Sequence, residues 1–162
     1  MSLIKKHLRN EYDFYKANGI RIQHCGDLTK LPDDIQHEIK LAESDTKDFS
    51  KMTVTLALNY GSRDEIIRAI KKISPDEISL ITEDRFSEKL DSSNIPDPDF
   101  IIRTGGEKRL SNFLLWQAAY SELYFSDELW PDWNEESLDL AIKDFQKRDR
   151  RFGGIKKWTL KK

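Results

Sequence analysis

The stretch DFIIRTGGEKRLSN, residues 99–112, predicts both a fold class and a ligand chemistry. Three β-favouring apolar residues lead into Arg103, and a Gly-Gly turn follows at once. This order predicts a buried strand that delivers a guanidinium to its carboxyl end, with a backbone that can turn tightly. Beyond the turn, Arg109 and Ser111 precede apolar residues at helical spacing, which predict a helix over residues 111–120.

The side chains around this turn predict an anion site. The guanidinium groups of Arg103 and Arg109 and the hydroxyl of Ser111 are expected beside unpaired N–H groups at the start of that helix. Fixed donors and the helix dipole both favour an anion there, so the pattern indicates phosphate binding. An ordinary strand-to-helix connection with two surface arginines is the alternative interpretation, and the local pattern leaves it open.

The composition limits the class of protein. The 162 residues include 27 basic and 29 acidic ones, for a formal net charge of -2, so no global field recruits nucleic acid and we expect no such partner. The lone Cys25 excludes an internal disulfide framework and is expected to be a small core residue. No apolar run approaches the length of a membrane span and no signal peptide is recognisable, so we expect a cytoplasmic protein.

Helices and strands are predicted to alternate along the chain. The predicted strands are Ile20–His24, Thr53–Leu58, Phe100–Ile102 and Leu123–Phe125. The predicted helices are residues 3–17 with a stop at Asn18-Gly19, one beginning at Pro32, one beginning at Ser62, residues 75–90 in one or two pieces, residues 111–120, and residues 135–150 after the cap Asn134. This order predicts a single α/β domain over residues 1–162, with a mostly parallel sheet flanked by helices on both faces.

Two of these helices carry patterns that can be checked residue by residue. Ile35, Ile39 and Ala42 recur at helical spacing and are expected to face the core. Ser62 and Glu65 match a capping box at the start of the next helix. The apolar residues of that helix are Ile66, Ile67 and Ile70.

A second polar motif, NYGSRDEI at residues 59–66, follows the clearest strand. Ligands of parallel sheets gather beyond the carboxyl ends of the strands. Asn59 and Arg103 both lie at such ends, so the two motifs predict a shared site. For Arg63, an active-site residue and an exposed first-turn residue are equally good interpretations.

Three further blocks complete the pattern: WQAAYSELYF at residues 116–125, LWPDW at 129–133 and RRFGG at 150–154. In this order and spacing, the blocks and the two motifs together resemble the cis-prenyltransferase family of bacterial undecaprenyl diphosphate synthases, or isoprenyl transferases. The resemblance is loose from about Tyr12 and dense from Pro96 to Gly154.

The resemblance implies a reaction, a cofactor and partners. Such enzymes are transferases that extend an allylic diphosphate, usually farnesyl diphosphate, with isopentenyl diphosphate to a long polyprenyl diphosphate such as undecaprenyl diphosphate, a cell-wall lipid carrier. They use Mg²⁺. The resemblance also implies a homodimer through residues near Trp116 to Trp133, and a cytoplasmic location with at most peripheral association with the inner face of the membrane.

It further implies substrate-binding residues. The residues that match those holding the diphosphate of isopentenyl diphosphate are Arg103, Arg109, Leu110 and Ser111. Arg151 and Gly153 match the family's carboxyl-terminal Arg-x-Gly element, which reaches across the dimer toward the diphosphate of the other subunit.

Asn59 and Arg63 match the family's catalytic motif, in which Ser62 replaces the usual second glycine. This serine is expected to supply an N-cap hydroxyl. Glu122 matches the acidic residue that helps to place Mg²⁺ on the substrate diphosphates.

One family motif has no counterpart within residues 1–30, namely an opening strand followed by Asp-Gly-Asn-Gly-Arg-Trp. In the family its Asp anchors magnesium and its backbone holds the allylic diphosphate. The resemblance therefore implies the carboxyl-terminal two-thirds of a synthase, incomplete at the amino-terminal side, with residues 151–162 as a basic tail. Such a chain carries the isopentenyl diphosphate site and is expected to be inactive alone. The alternative is a non-catalytic dimerisation or regulatory partner of a full-length synthase.

Overall fold

The structure, a computed structural model, describes Lys6 and residues 10–150. The chain divides into two compact units between Pro96 and Asp97. Each unit holds one pair of parallel strands together with helices, so the predicted α/β class with parallel strands is confirmed. The described strands pair as two separate two-stranded ladders, one in each unit.

The first unit is built around the ladder of β1 and β2. Its elements are α1 (Tyr12–Asn18), β1 (Ile20–Cys25), α2 (Asp33–Thr46), β2 (Met52–Ala57), α3 (Ser62–Lys71) and α4 (Glu83–Ser87), with 3-10 turns at Leu28–Lys30 and Ile78–Leu80. The register runs from Ile20 opposite Met52 to Cys25 opposite Ala57. Both strands lie within one residue of their predicted bounds.

The core of this unit lies between α2 and β1. Ile35 and Ile39 are each 1% exposed and, with Ala42, form the inner face of α2 that their spacing predicts. They belong to one cluster with Ile20 and Ile22 of β1. Full burial of an isoleucine side chain contributes about 1.5–3 kcal/mol. This packing therefore fixes the position of β1, whose carboxyl end leads to the first unit's polar residues.

Side chains of α2 cover one edge of β1. The N–H of Ile22 donates to Oγ1 of Thr46 over 2.9 Å, and the N–H of His24 donates to the carboxylate of Glu43 over 2.8 Å. Thr46 is fully buried and donates in turn to the carbonyl of Ala42 over 2.7 Å. These bonds satisfy strand N–H groups that would otherwise offer an edge to another chain.

The second unit is built around the ladder of β3 and β4. Its elements are β3 (Phe100–Arg103), β4 (Glu122–Phe125) and α5 (Glu135–Gln146), with 3-10 turns at Gln117–Tyr120 and Trp130–Asp132. The register places Phe100 opposite Glu122 and Arg103 opposite Phe125. The ring of Phe100 packs against that of Phe145 on α5, with centroids 4.8 Å apart.

Several predicted helix boundaries are confirmed. α1 ends at Gly19, which has a φ of 65°, and Oδ1 of Asn134 caps α5 by accepting from two N–H groups of its first turn. The last helix, however, ends at Gln146 rather than at Arg150. Of residues 3–9, where the first helix is predicted to begin, only Lys6 is described. Residues 151–162 also lie outside the described residues.

The predicted helix over residues 111–120 is wrong. Ser111, Asn112 and Leu114 have φ values of 49°, 66° and 47°, which belong to the left-handed region and interrupt any right-handed helix. Only Gln117–Tyr120 is helical, and it is a 3-10 turn. An irregular segment therefore follows the double-glycine turn.

The predicted capping box of α3 is also wrong. Gly61 is the N-cap, Ser62 is already helical, and no side chain caps the helix. Ser62 and Glu65 are instead fully buried, whereas Ile67 and Ile70 are about half exposed. Helix α3 therefore turns a polar face inward, because its two buried polar side chains find partners there.

Candidate active site

A cluster of donors lies where β3 ends. Nη1 of Arg103 donates to Oγ of Ser111 over 2.8 Å and also to the carbonyl of Arg109. Arg109 pairs through its own Nη1 with the carboxylate of Glu107. Leu110 lies between the two partners of Arg103 and is half-buried. The structure thus brings Arg103, Arg109 and Ser111 together, which are three of the residues that the sequence assigns to diphosphate binding.

Two glycines shape the turn that leads to this cluster. Gly105 and Gly106 have φ values of 89° and 76°, a region that other residues rarely adopt. Their N–H groups donate to the carbonyls of Glu128 and Ser126, over 2.7 and 2.9 Å. The N–H of Ser126 donates to the carbonyl of Arg103 over 2.8 Å. The turn is therefore fastened to the segment after β4, which holds the backbone of Arg103 in place.

The positive charge of the cluster comes from its arginine side chains. A helix N-terminus does not contribute to it, because no helix begins at Ser111. Within the described residues, the guanidinium of Arg103 uses only Nη1, so Nε and Nη2 have donors available for a ligand. Arg109 is largely solvent-exposed. Guanidinium groups bind phosphate oxygens through paired hydrogen bonds, so the cluster can hold a diphosphate.

Glu122 lies at the other end of the same ladder. It begins β4 opposite Phe100, whereas Arg103 ends β3 opposite Phe125. A strand rises about 3.3 Å per residue, so these two levels are about 10 Å apart. The structure therefore does not bring the carboxylate predicted for magnesium into the Arg103 cluster.

Arg148 holds Glu122 and was not identified from the sequence. Its Nη1 donates to Oε2 of Glu122 over 2.8 Å, and its Nε and Nη2 donate to Oδ2 of Asp144 over 2.9 and 2.5 Å. The hydrogen bonds to Glu122 and Asp144 raise the pKa of Arg148, which keeps it charged. The spacing of Asp144 and Arg148 is that of an ion pair on a helix, but no spacing reveals the contact with Glu122.

In the first unit, Asn59 joins the carboxyl ends of β1 and β2. Its Nδ2 donates to the carbonyl of Asp27 over 2.8 Å, and the N–H of Asp27 donates to the carbonyl of Asn59 over 3.2 Å. Asn59 has a φ of 50°, which asparagine tolerates better than most residues. At Gly26, with a φ of 129°, a Cβ would lie 2.4 Å from the carbonyl oxygen of Leu58. The two strand ends therefore meet at a spacing that only glycine permits.

Asp27 is a further polar residue at this strand end. Its carboxylate accepts from the N–H and the hydroxyl of Thr29, over 3.1 and 2.6 Å, and from Lys30 over 3.0 Å. These hydrogen bonds, first that of Thr29, lower the pKa of Asp27 to about 2. Asp27 follows β1 as closely as Asn59 follows β2, so the same strand-end rule identifies it from the sequence.

The remaining predicted residues lie either in the first unit or outside the described residues. Arg63 is exposed in the first turn of α3, and it shares the first unit with Asn59. The Arg103 cluster belongs to the second unit, so a site shared by the two strand ends stays a prediction. Arg151 and Gly153 lie outside the described residues. Among the residues that the structure describes, no three His, Cys, Asp or Glu side chains group as a metal site, and no helix is long and apolar enough to cross a membrane.

Comparison with known proteins identifies the family. The family model described as "Putative undecaprenyl diphosphate synthase" matches residues 1–153. The chain belongs to this family. The isoprenyl transferase of Treponema denticola is 56% identical over 153 residues, which cover 94% of this chain and 67% of that protein. The isoprenyl transferase of Clostridium perfringens is 49% identical over 162 residues, covering 96% and 64%.

Solved structures agree with the family. The crystal structure of a probable undecaprenyl diphosphate synthase from Campylobacter jejuni matches with a TM-score of 0.81 and 37% identity, over 94% of this chain and 72% of that one. Lavandulyl diphosphate synthase from Lavandula x intermedia, solved with dimethylallyl diphosphate, matches with a TM-score of 0.87 and 34% identity, over 94% and 69%. The chain spans about two thirds of the length of the curated relatives it matches. The resemblance inferred from the motifs is confirmed, and both solved structures match over 94% of this chain.

Proposed function

We propose that the Arg103 cluster binds the diphosphate of isopentenyl diphosphate for cis-prenyl chain elongation. The observation that carries this proposal is the 2.8 Å hydrogen bond between Arg103 and Ser111 at the end of β3. It sets a guanidinium and a hydroxyl side by side at a strand end, the usual place for a ligand in parallel sheets. The donors of Nε and Nη2 then remain for phosphate oxygens.

Charge supports the same ligand class. A diphosphate carries several negative charges, and the cluster offers two guanidinium groups of which one, that of Arg109, is already paired with Glu107. A ligand with more negative charge than one carboxylate can draw Arg109 away from Glu107. The pair is exposed, and exposed ion pairs contribute only about 0–1 kcal/mol, so little opposes this exchange of partners. The cluster therefore suits a diphosphate better than a neutral ligand.

The reaction we propose joins two carbon chains. The C–O bond of an allylic diphosphate such as farnesyl diphosphate breaks, and the double bond of isopentenyl diphosphate attacks the resulting allylic carbon. Loss of a proton creates a new cis double bond, and diphosphate is released. Repetition gives a long polyprenyl diphosphate such as undecaprenyl diphosphate. Arg103, Arg109 and Ser111 contribute by holding isopentenyl diphosphate in position, which converts an encounter in solution into a reaction between bound partners.

One residue of this chain, Glu122, can serve as a ligand for magnesium. Within the described part of the chain, Oε2 of Glu122 accepts from Arg148 and Oε1 receives no hydrogen bond, so Oε1 can act as a ligand. Magnesium in proteins usually takes one or two carboxylates and completes its shell with phosphate oxygens and water. When bound, the ion would neutralise diphosphate charge. Glu122 is the residue of this chain that we propose for it, with Arg148 orienting its carboxylate.

The elongation activity needs more than this cluster. The motif Asp-Gly-Asn-Gly-Arg-Trp, which the family uses for the allylic diphosphate, is not found in the 162 residues. We therefore propose that this polypeptide alone binds isopentenyl diphosphate without turning it over. A non-catalytic partner subunit would not need to bind substrate and so would not need these residues. The intact cluster at residues 103–111 therefore favours a substrate-binding function over that of a non-catalytic partner.

A homodimer in the cytoplasm, with at most peripheral membrane association, is part of the proposal. Large apolar side chains near the expected interface support it, since Tyr120, Leu129 and Trp130 are 66%, 60% and 74% exposed. Exposed aromatic side chains are enriched at protein interfaces. Sedimentation of the purified chain tests this part: a monomer at all concentrations would contradict it.

Calorimetric titration tests the proposed function. We expect isopentenyl diphosphate to bind the 162-residue chain, and isopentenyl monophosphate to bind more weakly by on the order of tenfold, because it offers fewer charged acceptors. A mixture with farnesyl diphosphate and Mg²⁺ should give no elongated product. Equal affinity for the two isopentenyl ligands would contradict the diphosphate cluster, and product formation would contradict the inactivity of the chain alone.

A further inference from the structure

Glu65 is a fully buried carboxylate outside the proposed diphosphate cluster. Its Oε2 accepts from the hydroxyl of Tyr60 over 2.6 Å, and its Oε1 accepts from both the N–H and the hydroxyl of Ser92, each over 3.1 Å. Each of these three groups can donate to a carboxyl oxygen. Burial of a polar group is costly unless hydrogen bonds compensate for the lost water, so Glu65 and its partners are bound to one another firmly.

Tyr60 connects this carboxylate to the Asn59 motif. It follows Asn59 directly, and its phenol also hydrogen-bonds the hydroxyl of Ser62, which is itself fully buried. Burial, and then the hydrogen bond to Glu65, raise the pKa of Tyr60, so the phenol stays a donor. Ser62, Tyr60 and Glu65 therefore form a hydrogen-bonded group that joins the turn between β2 and α3 to the first turn of α3.

Asn59, which adopts a left-handed conformation, directly precedes Tyr60 of this hydrogen-bonded group. The carbonyl of Asn59 accepts from Asp27, and the side-chain amide of Asn59 donates back to Asp27. A left-handed asparagine is strained unless its surroundings hold it. Asp27 holds it from the side of β1, and Tyr60, the next residue along the chain, is held by its hydrogen bond to Glu65.

We infer that Glu65 is a positioning residue, which fixes the turn from Asn59 to Gly61 through Tyr60 and so presents Asn59 at the end of β2. The inference rests on cis-prenyl chain elongation as the proposed function only in taking Asn59 as an active-site residue, a role that the match to the family's catalytic motif implies. The geometry of the turn does not depend on which ligand the chain binds. Glu65 also binds Ser92, so a test must separate positioning of the turn from support of the whole unit.

Amide hydrogen exchange measured by NMR makes this separation. The N–H of Asp27, which donates to Asn59, reports on the turn, and the N–H of Ile22, which donates to Thr46, reports on the core of the same unit. We expect Tyr60→Phe and Glu65→Gln to accelerate exchange at Asp27 by on the order of tenfold, as for the loss of a hydrogen bond to a charged group. Exchange at Ile22 should stay unchanged.

Glu77→Gln is the matched control. It makes the same change of charge at an exposed carboxylate that pairs with Lys89, and it should leave Asp27 unaffected. Unchanged exchange at Asp27 in Tyr60→Phe would overturn the inference, and so would equal acceleration at Asp27 and Ile22. If Glu65→Gln does not fold, exchange at Asp27 and Ile22 in Tyr60→Phe alone tests the inference.

Titration of the same samples with isopentenyl diphosphate distinguishes this inference from the proposed function. Binding of isopentenyl diphosphate to the unaltered chain tests the Arg103 cluster, whereas exchange at Asp27 in the variants tests the turn from Asn59 to Gly61. If the unaltered chain does not bind isopentenyl diphosphate, the proposed function is contradicted. The exchange result would not be affected by that outcome. Faster exchange at Asp27 alone would then still support the role of Glu65 in the turn.

Discussion

Arg103 donates a hydrogen bond of 2.8 Å to the hydroxyl of Ser111, although the double-glycine turn separates them along the chain. Ser111 has a φ of 49°, so its backbone folds back toward the strand end instead of entering a helix. Arg103 also donates to the carbonyl of Arg109. The arginine therefore organises the segment that follows it through Nη1, and among the described residues no group bonds its Nε or Nη2, whose donors can serve a ligand.

Two glycines should differ sharply when each is replaced by alanine. Gly105 has a φ of 89° and open space around a Cβ, so Gly105→Ala should cost only the conformational strain, about 1–2 kcal/mol. Gly26→Ala meets the carbonyl oxygen of Leu58 at 2.4 Å and should cost about 1–3 kcal/mol more. Urea unfolding measures both. Equal losses of unfolding free energy would contradict the close approach at Gly26.

Asp27 should make the fold sensitive to acid. Its pKa lies at about 2 in the folded chain, below the ordinary value of 3.8, because Thr29 and Lys30 donate to it. Between these two values the unfolded chain binds more protons than the folded one. The stabilisation is therefore complete above about pH 4 and is lost as the pH falls toward about 2.

The variant Asp27→Asn should show a shallower fall in unfolding free energy over that pH range. Asp48→Asn is a suitable control, since it removes an exposed carboxylate from the same unit. Denaturant unfolding at a series of pH values gives the comparison. An acid dependence in Asp27→Asn as steep as that of the unaltered chain would show that the bonds of Asp27 do not stabilise the fold.

Glu122→Gln should separate magnesium from the diphosphate cluster. Glutamine keeps the size of the side chain and removes its charge, so the apparent affinity of the chain for Mg²⁺ should fall by on the order of tenfold or more. Binding of isopentenyl diphosphate without Mg²⁺ should change little, because Glu122 lies at the opposite end of the ladder from Arg103. Glu136→Gln, at an exposed position of α5, is the control. An unaltered response to Mg²⁺ would remove Glu122 from the proposal.

The strands and the inner face of α2 could be predicted from the sequence because neighbouring residues determine them. Ile35, Ile39 and Ala42 have helical spacing, and their burial needs no knowledge of distant residues. The convergence of Arg103, Arg109 and Ser111 could also be predicted, since all three lie within one short segment. The motifs identified the family for the same reason.

Contacts that the spacing of apolar or capping residues does not encode decided the features that were missed. Residues 111–120 have apolar side chains at helical spacing, but Arg103 binds the carbonyl of Arg109 and the hydroxyl of Ser111, and the backbone follows those bonds. Ser62 and Glu65 have the spacing of a capping box, but Glu65 turns inward to Ser92. No local pattern contains that partner.

The central claim is that Arg103 binds the diphosphate of isopentenyl diphosphate. Calorimetric titration of Arg103→Ala with this ligand tests the claim most directly. The loss of charged hydrogen bonds should raise the dissociation constant by about 10- to 100-fold. Arg103→Lys, which keeps the charge without the paired donors, should fall between Arg103→Ala and the unaltered chain. Arg85→Ala, at an exposed arginine of α4, should bind as the unaltered chain does. A dissociation constant for Arg103→Ala equal to that of Arg85→Ala would contradict the account.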